Sequence, residues 1–253
     1  MKIISKKLSD IKIEVTEKGY DNISEILDLL NVKYSTFTGL YECDILFINC
    51  NTRSSVDSIK LKSFIERGGI LYASDWASRY VQDIIPDSIS FTSSNRIGTV
   101  KAEVIDNDLA KHLGKSIDIK FDMPSWKKIK HFSGGKVILA NSETKNPIMV
   151  EIPFFKGSIF YTSFHNHGIT SETEEKLLQL LILKQVGSLS SSSIEEVAKE
   201  NQLNLEKLNY KKKMAGYQPL SETVEPETKK FKIGKTENTA KFTIVKQNSK
   251  NDE

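Results

Sequence analysis

The sequence predicts an α/β protein built on a three-layer, flavodoxin-like, mostly parallel sheet, followed by a C-terminal helical segment and a disordered tail. Three observations predict it. Strand and helix patterns alternate from residue 11 to residue 74, and two strand–helix–strand units in succession make a doubly wound sheet with right-handed crossovers. CDILFINC, residues 43 to 50, is almost continuously apolar, which suits a central strand covered on both faces. YTSFHNHGITSETEEKLLQLLIL, residues 161 to 183, passes from a β-rich run through polar side chains into an amphipathic helix. Open α/β sheets place their sites in this way, beyond the carboxyl ends of strands.

IKIEV (11–15) reads as the first strand, DNISEILDLLNV (21–32) as a helix with Ile23, Ile26, Leu27 and Leu30 on its apolar face, and KYSTFT (33–38) as a second strand. After CDILFINC, Ser54 or Ser55 is placed to cap the helix VDSIKLKSFIERG. Its expected buried stripe is Val56, Ile59, Phe64 and Ile65, and Gly68–Gly69 supplies the left-handed stop. GILYASD follows as another strand. Between residues 88 and 160, SISFTSS, TVKAEVID, SIDIKFD, KVILANS, PIMVEIP and GSIFYTSF carry strand patterns, with turn signals at Gly134–Gly135 and Lys156–Gly157. The last two should pair as a hairpin.

A helix is expected over 171–186. GSLSSSS then has the composition of a flexible linker. The expected organisation is therefore an α/β domain over 1–187, a Ser-rich linker with short helices over 188–215, and a mostly disordered tail over 216–253. Ser192 or Ser193 is the expected cap of the first short helix, with Glu195 or Glu196 in its first turn. From Gly216 onward Pro, Thr, Glu and Lys dominate, so little can be buried. FKIGKTENTAKFTIVK within the tail can form a hairpin, but a two-stranded ribbon alone is marginal in water.

With 253 residues, 38% hydrophobic and 9% aromatic, the chain can bury a sizeable core. Lys+Arg at 36 against Asp+Glu at 33 gives a net charge of +3, mixed along the chain, without the basic stripe of a nucleic-acid binder. No apolar run approaches the roughly 20 residues of a membrane helix, and MKIISKKLSD lacks the apolar core of a secretory signal. Nucleic acid and membrane are therefore not expected partners, and a cytoplasmic location is expected. Cys43 and Cys50 flank one strand, and seven residues of strand separate them by roughly 23 Å. That exceeds disulfide reach, so both are expected as free thiols in a reducing compartment.

YECDILFINC, FIERGGILYASDWA and FFKGSIFYTSFHNHG, taken in this order of elements, resemble the class I glutamine amidotransferase-like superfamily, and within it the divergent ThuA-like branch. The resemblance covers roughly residues 1 to 186. In active members it implies a nucleophilic cysteine on the sharp turn after a central strand, and a His-x-Glu pair in a phrase like FHPE. Here Phe164-His165-Asn166-His167 keeps the histidine but places His167 at the glutamate position, and YASDWA places Ser74 or Asp75 where the thiol belongs. The resemblance thus implies the fold without glutamine hydrolysis.

A thiol works in such sites because a neighbouring histidine lowers its pKa. Ser74 would need a base within reach and an oxyanion hole, and YASDWA lacks the glycines of a G-x-S-x-G elbow. Cys50 ends the preceding strand and reads as a buried thiol. The candidate catalytic residues are Asp75, His165 and His167; the candidate binding residues are Ser74, Trp76, Asn51 and Asn166. His165 and His167 point the same way from an extended segment and, with Asp75, form a conceivable metal set. A satisfied or solvent-facing histidine is the commoner fate, so neither metal nor cofactor is expected. Asp75 is also placed to hold His165 by a charge-assisted hydrogen bond. Trp76 and Trp126 read as core aromatics, and Lys211–Lys213 as a solvated helix end. The expected function is a non-catalytic amidotransferase-like domain that binds protein or scaffolds an assembly, with the tail recruiting a protein partner by adding strands to its sheet edge. The alternatives are a hydrolase rearranged around Asp75 and His165, with or without a metal, and a small-molecule sensor using the same crevice.

Overall fold

The computed structural model describes residues 10–95, 97–121, 123–164 and 171–208, all within the first of two units into which the chain divides after Lys211. It is α/β, as the alternating pattern requires. β1 (Ile13–Val15), β2 (Ser35–Thr36), β3 (Ile45–Ile48), β4 (Ile70–Ser74) and β11 (Gly157–Thr162) lie parallel in the order β2-β1-β3-β4-β11. β10 (Pro147–Phe154), β9 (Lys136–Asn141), β6 (Gly98–Val104) and β7 (Ser116–Phe121) extend this flavodoxin-like half with antiparallel strands to a nine-stranded sheet. β10 and β11 form the expected hairpin. β5 (Ile89–Ser94) and β8 (Trp126–Phe132) pair as a separate ribbon, with β8 against β10.

Helices cover both faces, which makes three layers. α1 (Ser24–Leu29), α4 (Asn107–Leu113), α5 (Glu172–Ser190) and α6 (Ile194–Glu200) share one core; α2 (Ser58–Glu66) and α3 (Ser78–Ile84) share the other with the β5–β8 ribbon. Successive side chains of a strand alternate between the two: Ile45 and Phe47 enter the first core, Leu46 and Ile48 the second. All four are buried, as the apolar run in CDILFINC requires. In β10 the neighbours Ile148 and Met149 enter the same core because the pairing with β9 is irregular there.

The cap and stripe of α2 differ from expectation. Asp57, not Ser54 or Ser55, caps it, accepting from the Ile59 and Lys60 N–H groups at 2.9 and 3.1 Å; the Ser54 hydroxyl accepts from Glu17 N–H instead. With that start, Leu61, Phe64 and Ile65 share the buried face at i, i+3 and i+4, while Ile59, two residues earlier, is turned out and 80% exposed. Val56 precedes the helix.

The serine run is not a loose linker. α5 continues to Ser190, whose hydroxyl donates back to the Val186 and Gly187 carbonyls, and Ser191 takes the left-handed conformation that ends it. Ser193 and Glu196 then form a capping box on α6. Ile194, Val197, Ala198 and Leu208 join the core, so the folded domain reaches at least Leu208. The serines supply turn and cap chemistry, which composition alone does not distinguish from flexibility. Lys211–Lys213 and the hairpin candidate at 231–246 lie outside the described residues.

Candidate functional site

The parallel strands β1, β3, β4 and β11 bring their carboxyl ends to one edge of the sheet. β4 ends at Ser74; Asp75 turns the chain with φ +44°, and one turn of 3₁₀ helix over Asp75–Ala77 leads into α3. A non-glycine residue in the left-handed region between a strand and a helix is the sharp, strained turn on which hydrolytic nucleophiles sit. Of the two residues left open by the resemblance, the structure puts Asp75 on that turn.

Asp75 is fully buried. Its Oδ1 accepts the Lys127 N–H of β8 at 2.6 Å, and its Oδ2 accepts the Cys50 thiol at 3.4 Å. The Tyr161 hydroxyl, from the adjacent β11, shares its proton between the Asp75 and Lys127 carbonyls, each at 3.1 Å. Cys50 faces Asp75 because β3 and β4 run side by side with Ile48 opposite Ala73, so residues two further along also meet.

A second buried carboxylate ties the same strand ends to the loop after β1. Asp21 Oδ1 accepts the Cys50 N–H at 2.5 Å, and its Oδ2 accepts the Ser74 hydroxyl at 2.6 Å. Ser74 is thereby committed as a donor to Asp21. Asn49 completes the stitching: its amide donates to the Thr16 and Glu17 carbonyls and its Oδ1 accepts from Ile23 N–H. Buried polar groups in this cluster find partners within it, which is what makes such a network rigid.

The electrostatics favour protonated side chains. Burial, then the Asp75 and Asp21 carboxylates, push the Cys50 thiol far above its ordinary range, the reverse of what a thiolate nucleophile requires. Burial, then Asp75 and Cys50, likewise raise the Tyr161 hydroxyl, against a weaker opposing pull from the Ser163 and Ser78 hydroxyls. Tyr72 is raised by burial and Asp21; its hydroxyl meets Thr162 Oγ1 at 3.3 Å.

Of the sequence-predicted residues, Ser74 and Asp75 thus sit together in the buried cluster. Trp76 is half-buried at its rim, donating Nε1–H to the Ser125 carbonyl at 3.3 Å, with the Lys127 ammonium 4.3 Å above its ring. Trp126 is a core aromatic, stacked on Phe121 at 3.7 Å. Asn51 is exposed and lines a different place, an open crevice of about 690 Å³ with Lys18, Tyr20 and Arg53. That crevice lies between the ends of β1 and β3, where the strand order reverses. Thr162 pairs with Ser74, so β11 ends beside β4 as expected. His165, Asn166 and His167 lie outside the described residues. Among the described residues no group of three or more His, Cys, Asp or Glu side chains is placed to hold a metal, and no helix is long and apolar enough to cross a membrane. Sequence reasoning missed Asp21, Asn49 and Tyr161, and set Cys50 apart from Asp75.

No protein-family model and no curated protein matches the sequence. Solved structures do match. A ThuA-like protein from Bacteroides uniformis shares 13% identity with a TM-score of 0.55, over 73% of this chain and 94% of that one. A GMP synthase-type protein from Thermoplasma acidophilum shares 13% identity with a TM-score of 0.50, over 75% and 98%. The N-terminal domain of mmIFT52 shares 10% identity with a TM-score of 0.52, over 70% and 97%. At these identities the likeness is one of fold: the chain has the glutamine amidotransferase-like fold in the form seen in ThuA-like proteins.

Proposed function

We propose that this domain is a non-catalytic amidotransferase-like module that binds protein or scaffolds an assembly in the cytoplasm, recruiting its partner through the C-terminal tail. The observation that supports it best is the fate of the elbow position. Asp75 has the backbone of a nucleophile, yet both its carboxylate oxygens are engaged, by Lys127 N–H and the Cys50 thiol, and it is closed to solvent. A hydrolase built on Asp75 and His165 would first have to release that carboxylate from both donors. The tail adds a sequence with a strand-like pattern, FKIGKTENTAKFTIVK, of the kind that pairs with the edge of another sheet.

The test compares the full chain with residues 1–211 as baits, in quantitative co-purification from the cells that make the protein. A specific partner retained by the full chain and by its Asp75→Asn variant, and lost from residues 1–211, is the expected result. Equal recovery by both baits would remove the tail from the account, and absence of any partner would remove the scaffold role.

A further inference from the structure

The open crevice between the ends of β1 and β3, about 690 Å³ in volume, is lined by neither Asp75 nor Cys50. It lies where the strand order reverses, the place at which open α/β sheets take up ligands. Two cations line it, Lys18 on the loop after β1 and Arg53 on the loop after β3. The two loops are stitched together on both sides of Arg53: the Thr52 hydroxyl donates to the Glu17 carbonyl at 2.7 Å, and the Glu17 N–H donates to the Ser54 hydroxyl at 2.9 Å. The Tyr20 N–H adds a bond to the Cys50 carbonyl at 2.8 Å. Glu17 directly precedes Lys18, so the backbones that carry the two cations are held together in advance of any ligand. Among the described residues neither cation has an ion-pair partner. The Glu17 carboxylate also lines the crevice, which leaves two cations against one anion on the wall. A cleft with an excess of one charge concentrates ligands of the other. The same wall carries Tyr20 and Tyr34, both exposed, and the Tyr34 hydroxyl donates to Asp28 at 3.1 Å, which restrains that ring. Exposed rings give a flat partner a face to stack on.

We propose that this crevice binds a mononucleotide, with the phosphate on Lys18 and Arg53 and the base on Tyr20 or Tyr34. The anion follows from the two cations: a phosphate monoester carries close to two negative charges at neutral pH, and the guanidinium fork matches its oxygens. The flat ring follows from the tyrosines, and stacking on them is indifferent to the identity of the base. An open, half-polar wall suits a hydrated, charged ligand, and the volume falls within the roughly 300–1,000 Å³ of small-molecule clefts. The inference goes beyond the scaffold role and does not depend on it.

The probes are AMP, adenosine, which lacks the anion, and inorganic phosphate, which lacks the ring. Binding to the full chain is followed by amide chemical shifts at low ionic strength. AMP should shift the Lys18, Asn51 and Arg53 amides with a Kd of about 0.1–1 mM, and adenosine and phosphate should each bind at least about fivefold more weakly. Arg53→Gln should weaken AMP about tenfold and leave adenosine unchanged, whereas Tyr34→Leu should weaken AMP and adenosine alike. Added salt should weaken AMP and spare adenosine. Arg53 and Tyr34 are exposed, so both variants should melt within a few degrees of the wild type. No shift of those amides at about 10 mM AMP, or equal AMP binding by wild type and Arg53→Gln, would overturn the proposal. Phosphate bound as tightly as AMP would overturn it too, reducing the crevice to an anion site.

Discussion

Replacing Asp75 separates a structural tie from a functional carboxylate held under strain. In Asp75→Ala the half-buried Lys127 N–H loses its acceptor at 2.6 Å and the Cys50 thiol loses its acceptor at 3.4 Å. An unsatisfied buried donor costs about 1–3 kcal/mol, with bonds to charged groups at the upper end. Alanine is also poorly suited to φ +44°, at about 1 kcal/mol. The sum is about 2–4 kcal/mol. A domain of this size loses roughly 2–4 °C of melting temperature per kcal/mol, so Asp75→Ala should melt roughly 4–16 °C lower. Asp75→Asn keeps an oxygen for Lys127 and tolerates the left-handed backbone, so it should cost no more than about 1 kcal/mol. Calorimetry on the three proteins gives the comparison. An alanine variant as stable as the wild type, or more stable, would refute the reasoning, because that is how a carboxylate kept in place for catalysis behaves.

Three further outcomes follow from the same geometry. Truncation after residue 187 removes Ile194, Val197, Ala198 and Leu208 from the core; at about 1.5–3 kcal/mol for each large aliphatic side chain it should drop the melting temperature by more than about 10 °C, whereas residues 1–211 should melt like the intact chain. In Gly19→Ala the new Cβ would lie 2.0 Å from the Cys50 carbonyl oxygen, so the loop carrying Asp21 must shift, and urea unfolding should show a loss of about 1–3 kcal/mol. Burial, then Glu14, push the Cys43 thiol from 9.0 up to about 12; the folded state keeps a proton that the unfolded chain gives up, so that stabilisation is complete below pH 9 and is lost progressively as pH rises toward 12. Urea midpoints should therefore fall between pH 8.5 and pH 10.5, and flat midpoints would contradict the burial of both thiols and of Tyr161.

The fold was legible where local pattern and burial agree. The apolar run at 43–50, the alternation in the first half, the β10–β11 hairpin and the helix after residue 171 all follow from side chains that must be covered on one face or two. β8 escaped notice because WKKIKHF spaces its buried residues, Trp126 and Ile129, three apart, a helical interval. In a strand that interval puts the two on opposite faces, and Trp126 joins one core while Ile129 joins the other. α3 and α4 were likewise missed, being only seven residues each. At the site, YASDWA announced the position of the elbow but not the side chain that fills it, since Ser74 and Asp75 differ there only in backbone conformation. Asp21 and Tyr161 are 53 and 87 residues from Ser74 in sequence, and nothing local marks them. The Cys50–Asp75 contact was within reach: adjacent parallel strands ending at similar heights place the residues two beyond each end side by side.

The central claim is that the elbow carboxylate ties the fold together and performs no chemistry. Ammonia release from glutamine and hydrolysis of an activated ester by the full chain, beside Cys50→Ala and Asp75→Asn, measure it most directly. The account predicts rates that match the protein-free blank for all three proteins. Turnover by the wild type that falls more than about tenfold in Asp75→Asn, with the variant still folded, would contradict it.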